Sequence, residues 1–149
     1  RGRQRVDFRR VLEYTCVMFR AYDKGSDISY SLGAFPTVEL IKKRPEDLLA
    51  AIGPSIAKEC FEVDAPCAEE FLALPDSDKF VTDDGNGKFH VDLWACNRAF
   101  LLGAGVLPEH ITTGGVCTMC NSDLLFSHRV TRGKRGSNAG FLMLREQNA

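Results

Sequence analysis

Residues 114–144 read GGVCTMCNSDLLFSHRVTRGKRGSNAGFLML, and the reading of the chain starts there. Cys117 and Cys120 stand at C-x-x-C spacing, and the apolar run Leu124–Phe126 leads into Ser127, His128 and Arg129. A basic glycine-bearing loop follows, Arg132-Gly133-Lys134-Arg135-Gly136, and an apolar stretch predicted as a strand closes the domain. Thiols, an imidazole, hydroxyls and guanidinium groups therefore fall within one short segment. Glycine lets a backbone approach a ligand closely, and arginine offers a forked set of donors matched to an anion. The same glycine-basic pattern also serves as a solvated hairpin connection. On local sequence both readings stand.

Working outward, the segment before it alternates helices with short apolar strands. Ile111–Thr113 reads as a strand, preceded by a helix over Leu93–Ala104. Asp92 is placed to cap that helix and Gly105 to end it, with Pro108 just beyond. Leu93, Asn97, Phe100 and Ala104 share one helical face, with Trp94 and Leu101 beside it. Phe89–Val91 is short and extended, Asp83–Gly87 is a loop, and Ala65–Leu74 is amphipathic and helical. Leu48–Ile52 is a buried-strand candidate running into Gly53-Pro54-Ser55-Ile56. A strand that meets Gly-Pro turns sharply, which can present N–H groups and the Ser55 hydroxyl at a sheet edge, where α/β ligand sites gather. A plain structural turn explains the same letters. Further upstream, Thr37 is a candidate cap for a short helix stopped by Pro45, and Val11–Tyr22 reads as a strand. The expected fold is a layered α/β domain with mixed sheets flanked by helices, one domain over residues 1–149.

Composition sets limits on function. Of 149 residues, 44% are hydrophobic and 26% charged, ordinary for a globular domain. A net charge of −1 argues against a general nucleic-acid binder, although arginines crowd the start of the chain and the loop near Arg135. No apolar run is long enough to span a bilayer, and no export signal follows the first residues, so the expected setting is cytoplasmic, with no membrane partner. The six cysteines are then expected to be reduced thiols.

The C-x-x-C pair is not sufficient for a named chemistry. A structural zinc takes four ligands, and the sequence has no second C-x-x-C, nor are His90, His110 and His128 spaced as a partner pair. A thioredoxin-like motif belongs near the first strand rather than near the C-terminal end. Either Cys117 or Cys120 could pair with His128 as a nucleophile and base, an arrangement that spacing cannot reveal. Asp92 and Asp123 are available carboxylates, though a helix cap accounts for Asp92.

Five motifs in order carry a resemblance: Ala51-Ile52-Gly53-Pro54-Ser55-Ile56, Cys60-Phe61-Glu62-Val63, His90 through Arg98 (HVDLWACNR), Cys117-Thr118-Met119-Cys120, and Phe126-Ser127-His128-Arg129. Together, from about Thr37 to Leu144, they resemble the YfiH-type laccase-domain family. The resemblance implies an α/β fold of mixed sheets and a cytosolic enzyme. Members were first described as copper-dependent phenol oxidases and are now regarded as zinc-bound enzymes of purine nucleosides. They phosphorolyse adenosine, inosine, guanosine or methylthioadenosine and deaminate adenosine. The family's metal site joins a reactive cysteine to two histidines, one in an upstream segment and one in an H-x-G-W-R-G motif. By its following residues Cys16 matches the family's cysteine, so the resemblance assigns it both the catalytic and the metal-ligand role. The H-x-G-W-R-G motif is not found between Asp23 and Thr37, and the upstream histidine has no counterpart in the letters. The N-terminal part of the family pattern is thus incomplete.

The resulting expectations are specific. Zinc is the implied cofactor (copper in the older description), and the implied partners are a purine nucleoside and phosphate. Ser55, Arg129 and Arg135 are the candidate substrate or phosphate contacts. A catalytically inactive binding or assembly domain of the same fold is the alternative. Copper oxidation of phenols would need more imidazoles than the chain's three histidines supply.

Overall fold

The computed structural model describes residues 17–21 and 45–139. Cys16, the helix predicted from Thr37 and the closing apolar segment lie outside these. Two three-stranded sheets organise the described chain. In the first, β1 (Val17–Ala21) runs antiparallel to β2 (Leu48–Ile52), which pairs in parallel with a strand near the C-terminal end, Ile111–Thr113. Between those parallel partners lies the second, wholly antiparallel sheet. Its strands are β3 (Glu62–Asp64), β4 (Val81–Asp83) and β5 (Lys88–Val91), with β5 in the middle. The strand Ile111–Thr113 is β6. The layered α/β architecture with mixed sheets is the one expected.

The two helices of real length form where sequence chemistry specifies them. Helix α1 (Ala65–Leu72) starts at Asp64, whose carboxylate accepts from the Cys67 N–H at 3.3 Å, with Pro66 in the first turn where its missing N–H costs nothing. Helix α2 (Leu93–Gly103) starts at Asp92, whose carboxylate accepts from the Ala95 N–H at 2.9 Å. It ends as a Schellman motif. The Gly105 N–H donates to Leu102 O at 2.9 Å and the Val106 N–H to Leu101 O at 3.0 Å, while Leu101 and Val106 pack in one cluster. Gly105 has φ +95°, and a Cβ there would come within 2.8 Å of Pro45, so this position takes only glycine without strain.

Burial on α2 differs slightly from the predicted face. Leu93, Cys96, Asn97 and Leu101 are the buried positions, while Phe100 and Ala104 are half-buried. The reason is that α2 spans two cores rather than lying on one. Its first turns pack Leu93 and Cys96 with Phe61, Val63, Phe71, Phe80 and Val91 of the antiparallel sheet and α1. Its last turn packs Leu101 with Leu48, Ile52 and Ile111 of the parallel pair. Asn97 is tolerated between them because its amide donates to Leu93 O at 2.6 Å.

Among the described residues Phe80 is the largest fully buried side chain, at 1% exposure. Phe80→Ala is therefore expected to destabilise by about 3–5 kcal/mol, against roughly 1 kcal/mol for removing the α2 cap in Asp92→Ala. Denaturant unfolding checks this. Equal costs would mean that the antiparallel core does not close around Phe80.

Candidate functional site

The parallel pairing of β2 and β6 does not end with the strands. After β2 the chain turns through Gly53-Pro54, and after β6 through Gly114-Gly115-Val116. The two segments then pair again as an isolated parallel bridge between Ser55 and Cys117. Four bonds hold this junction. The Gly114 N–H donates to Ile52 O at 2.8 Å, the Ser55 N–H to Val116 O at 3.2 Å, the Thr118 N–H to Ser55 O at 2.9 Å, and the Trp94 indole N–H to Gly53 O at 3.2 Å. The Gly-Pro-Ser turn and the C-x-x-C segment are thus one structural unit.

Ser55 is 4% exposed, and its hydroxyl has no hydrogen-bond partner among the described residues. A buried hydroxyl left unpaired costs about 1–3 kcal/mol, which a bound polar group would recover.

Cys117 is buried beside it, and its sulfur accepts from the N–H of Ala57 at 3.3 Å and of Cys120 at 3.4 Å. Burial alone pushes the thiol up. The backbone donors of Ala57 and Cys120, the Cys120 thiol and the Met119 N–H outweigh it and bring Cys117 down to about 7. Cys60 behaves oppositely. Its hydrogen bond with Cys120, burial, and the nearby Cys117 push it up to about 12. Cys96 is also pushed up to about 12, by burial and then by Asp92, as expected of an inert core thiol.

The feature that sequence reasoning missed is Cys60. Its Sγ lies 3.5 Å from that of Cys120, sixty residues on, and the three sulfurs of Cys60, Cys117 and Cys120 all lie within 4.8 Å of one another. The C-x-x-C pair does have a further thiol to work with, although not a second C-x-x-C. Asn121 steadies the turn, donating from its side chain to Cys117 O at 2.8 Å. Among the described residues the C-x-x-C thiols bond to Cys60 and to backbone N–H groups, not to His128.

Ser127 caps the single-turn helix α3 (His128–Thr131), its hydroxyl accepting from the Val130 N–H at 3.4 Å. That turn aims Arg129 back across the fold. One guanidinium nitrogen donates to Glu62 O at 2.9 Å, and the group sits 5.6 Å from the Phe61 ring centroid. Arg129 is therefore anchored on the strand that follows Cys60. Arg135 is exposed, and its guanidinium donates locally, to Gly136 O at 2.9 Å. The basic loop itself folds onto Phe126. The Asn138 side chain accepts from the Phe126 N–H at 2.9 Å and donates to Phe126 O at 2.8 Å, and a Cβ on Gly136 would meet the Phe126 ring at 2.8 Å.

Two groups of three metal-ligating side chains converge among the described residues: the three cysteines, and Glu62, Asp84 and His90. In the second, His90 Nδ1 lies 2.7 Å from Asp84 Oδ2, and Lys88 lies 3.8 Å from Glu62. Both carboxylates there are exposed. Neither group pairs a cysteine with a histidine.

Comparison with known proteins places these features in a wider setting. The family described as Multi-copper polyphenol oxidoreductase laccase matches residues 35–145. Purine nucleoside phosphorylase YlmD of Bacillus subtilis (strain 168) is 35% identical over 103 residues, covering 68% of this chain and 37% of that protein. Adenosine deaminase RL5, from an unknown prokaryotic organism, is 39% identical over 93 residues, covering 61% of this chain and 34% of that protein. Among solved structures, YfiH of Bacillus licheniformis superposes with a TM-score of 0.63 at 28% identity, covering 80% of this chain and 51% of that one. YlmD of Geobacillus stearothermophilus gives 0.60 at 36% identity, covering 66% of this chain and 39% of that one. The chain thus spans less than two-fifths of the length of the two curated relatives named.

The contrast between neighbouring thiols is measurable. In the reduced, chelator-treated chain, the Cβ resonance of Cys117 is expected to titrate with a midpoint near 7, whereas those of Cys60 and Cys96 hold their protons well above it. Because the folded value lies below the ordinary 9.0, this thiolate contributes stability above pH 9 that is lost as pH falls towards 7. A Cys117 midpoint at or above 9.0 would show that the backbone donors do not reach the sulfur.

Proposed function

The chain belongs to this laccase-type family, and on that premise we propose that it acts in the phosphorolysis of purine nucleosides, with adenosine deamination as a second activity. The similarity to proteins named purine nucleoside phosphorylase and adenosine deaminase supports the substrate class. The structural observation that carries the reading is the Ser55 hydroxyl, buried and unpaired at the junction of the Gly-Pro turn with Cys117.

In this reading the Ser55 hydroxyl donates to a phosphate oxygen. Arg129, whose guanidinium has donors beyond the one given to Glu62 O, offsets the anion's charge. Phosphorolysis needs little else from the anion's side. A phosphate oxygen bonds to C1′ of the ribose as the C1′–N9 bond breaks, and its electron pair leaves with the purine. Holding the phosphate in line with that bond is the positioning the protein supplies. Arg135 belongs to this reading only as an exposed contributor of positive charge, since its side chain is bonded within its own loop.

The zinc implied by the resemblance would be held through Cys16, which lies outside the described residues. The described histidines group with carboxylates or stand apart from the thiols, so no step above is routed through a metal. No described helix is long and apolar enough to cross a membrane.

The test is inosine and adenosine turnover with and without phosphate. Phosphate-dependent release of the free purine is expected. Ser55→Ala should lower kcat/KM by about tenfold to a hundredfold, the worth of one hydrogen bond to a charged group, while raising the unfolding midpoint of the phosphate-free protein, because it removes the unpaired buried hydroxyl. Arg129→Ala should lower phosphate use and also loosen the fold, because it gives up the Glu62 bond. A folded protein inert towards both nucleosides would instead support the binding or assembly domain, and an unaltered Ser55→Ala enzyme would remove the turn from the site.

A further inference from the structure

The three-cysteine cluster plays no part in the phosphorolysis reading, and it is built with more care than packing requires. We propose that Cys60, Cys117 and Cys120 form a three-thiolate site for a thiophilic metal ion, zinc first among them, distinct from any centre built on Cys16. Three observations carry this.

The first is spacing. Zinc–sulfur bonds of about 2.3 Å in a tetrahedral shell put sulfurs about 3.8 Å apart. Cys60 Sγ and Cys120 Sγ are 3.5 Å apart, and all three sulfurs lie within 4.8 Å. The cysteines are free thiols in the structure, so this approach is not imposed by a covalent bond.

The second is the knuckle. The Cys120 N–H donates to the sulfur of Cys117 three residues earlier, and the Ala57 N–H donates to the same sulfur from the opposite segment. Backbone donors aimed at a sulfur favour its anionic form, and the anion is the metal ligand. A cation held among the three sulfurs would favour the thiolate form of all three and release their protons.

The third is exposure. Cys117 is buried, Cys60 half-buried and Cys120 exposed. The cluster therefore opens to solvent on the Cys120 side, where water or an exchangeable ligand would complete a tetrahedron. A thiol kept only for packing would sit like Cys96, at 0% exposure in the core. The ion would clasp the short 3-10 turn Lys58–Cys60 to the C-x-x-C turn, at the mouth of the Ser55–Cys117 junction.

The test reads metal content, independently of nucleoside turnover. The full chain is reduced with a non-thiol reductant, loaded with zinc or with cuprous ion in parallel, passed over a desalting column and assayed for metal, and Co(II) is used as a spectroscopic stand-in. Retention of one zinc per chain through these three residues is expected, with intense thiolate-to-cobalt charge-transfer absorption in the Co(II) form. Cys16→Ser should keep this signal. Cys120→Ser, at an exposed position that leaves the fold intact, should abolish the retained zinc or weaken its binding at least tenfold, and Cys60→Ser should do the same. Loss of the charge-transfer band in Cys16→Ser, or zinc retention unchanged in both Cys60→Ser and Cys120→Ser, would overturn the proposal. Retention of cuprous ion in place of zinc through the same residues would support the site with copper as its ion, whereas a chain that retains neither metal and instead forms a Cys60–Cys120 disulfide would overturn it.

Discussion

The continuation of parallel pairing past two glycine turns, from β2 and β6 into the Ser55–Cys117 bridge, is the constraint on which the rest of the site depends. Each strand of the parallel pair reaches a turn that would ordinarily end a sheet. Instead, the Ser55 N–H finds Val116 O, and the Thr118 N–H finds Ser55 O. Backbone groups buried at such a junction must be paired, so the two segments cannot drift apart without several unmade hydrogen bonds. Because β2 and β6 are far apart in sequence, the antiparallel sheet, α1 and α2 fill the crossover between them, and α2 covers both cores. The fold's connectivity thus brings the Gly-Pro turn and the C-x-x-C segment to one place.

That junction also divides the cysteines by role. Cys96 is a core thiol, deep against the antiparallel sheet. Cys117 sits at the junction itself and takes its N–H donors from both of the paired segments. Cys60 and Cys120 come within reach of it because the 3-10 turn after Ala57 and the turn after Cys117 leave the bridge on the same side. One sulfur is thereby shifted towards its thiolate form, and two neighbours are gathered around it. The hydroxyl of Ser55, which faces Cys117 across the bridge, is left buried without a partner among the described residues.

Much of this was legible in the letters, and the parts that were not share one cause. Asp92 as a helix cap, Gly105 as a helix end, Leu48–Ile52 as a buried strand and Gly53-Pro54-Ser55 as a turn are local statements, and local chemistry settles them. The expected presentation of N–H groups and the Ser55 hydroxyl at a sheet edge does not form, because β2 is the middle strand, the Ser55 N–H is taken by Val116 O and Ser55 is buried. The family resemblance rested on the same local motifs, and it holds over residues 35–145. What spacing could not reveal is which distant turns meet. Cys60 enters the sequence reading only as part of the motif Cys60-Phe61-Glu62-Val63, and it is the fold, through the β2–β6 pairing, that places it beside Cys120. The sequence marks Arg129 as a candidate phosphate contact, and what the letters do not reveal is that its guanidinium is seated on Phe61 and Glu62. The α2 face was drawn for a helix on one core, and the shift from Phe100 and Ala104 to Cys96 and Leu101 follows from a helix that spans two.

The central claim is that the Gly-Pro-Ser turn and the segment from Cys117 to Arg129 act as one binding surface. Backbone amide NMR of the chain, titrated with inorganic phosphate and then with inosine, tests it most directly. The account predicts that the largest shifts cluster at Ser55, Ile56, Cys117, Thr118 and Arg129 and appear together at one saturation point. Shifts confined to the exposed loop from Arg132 to Gly136, with Ser55 and Thr118 unmoved, would contradict it.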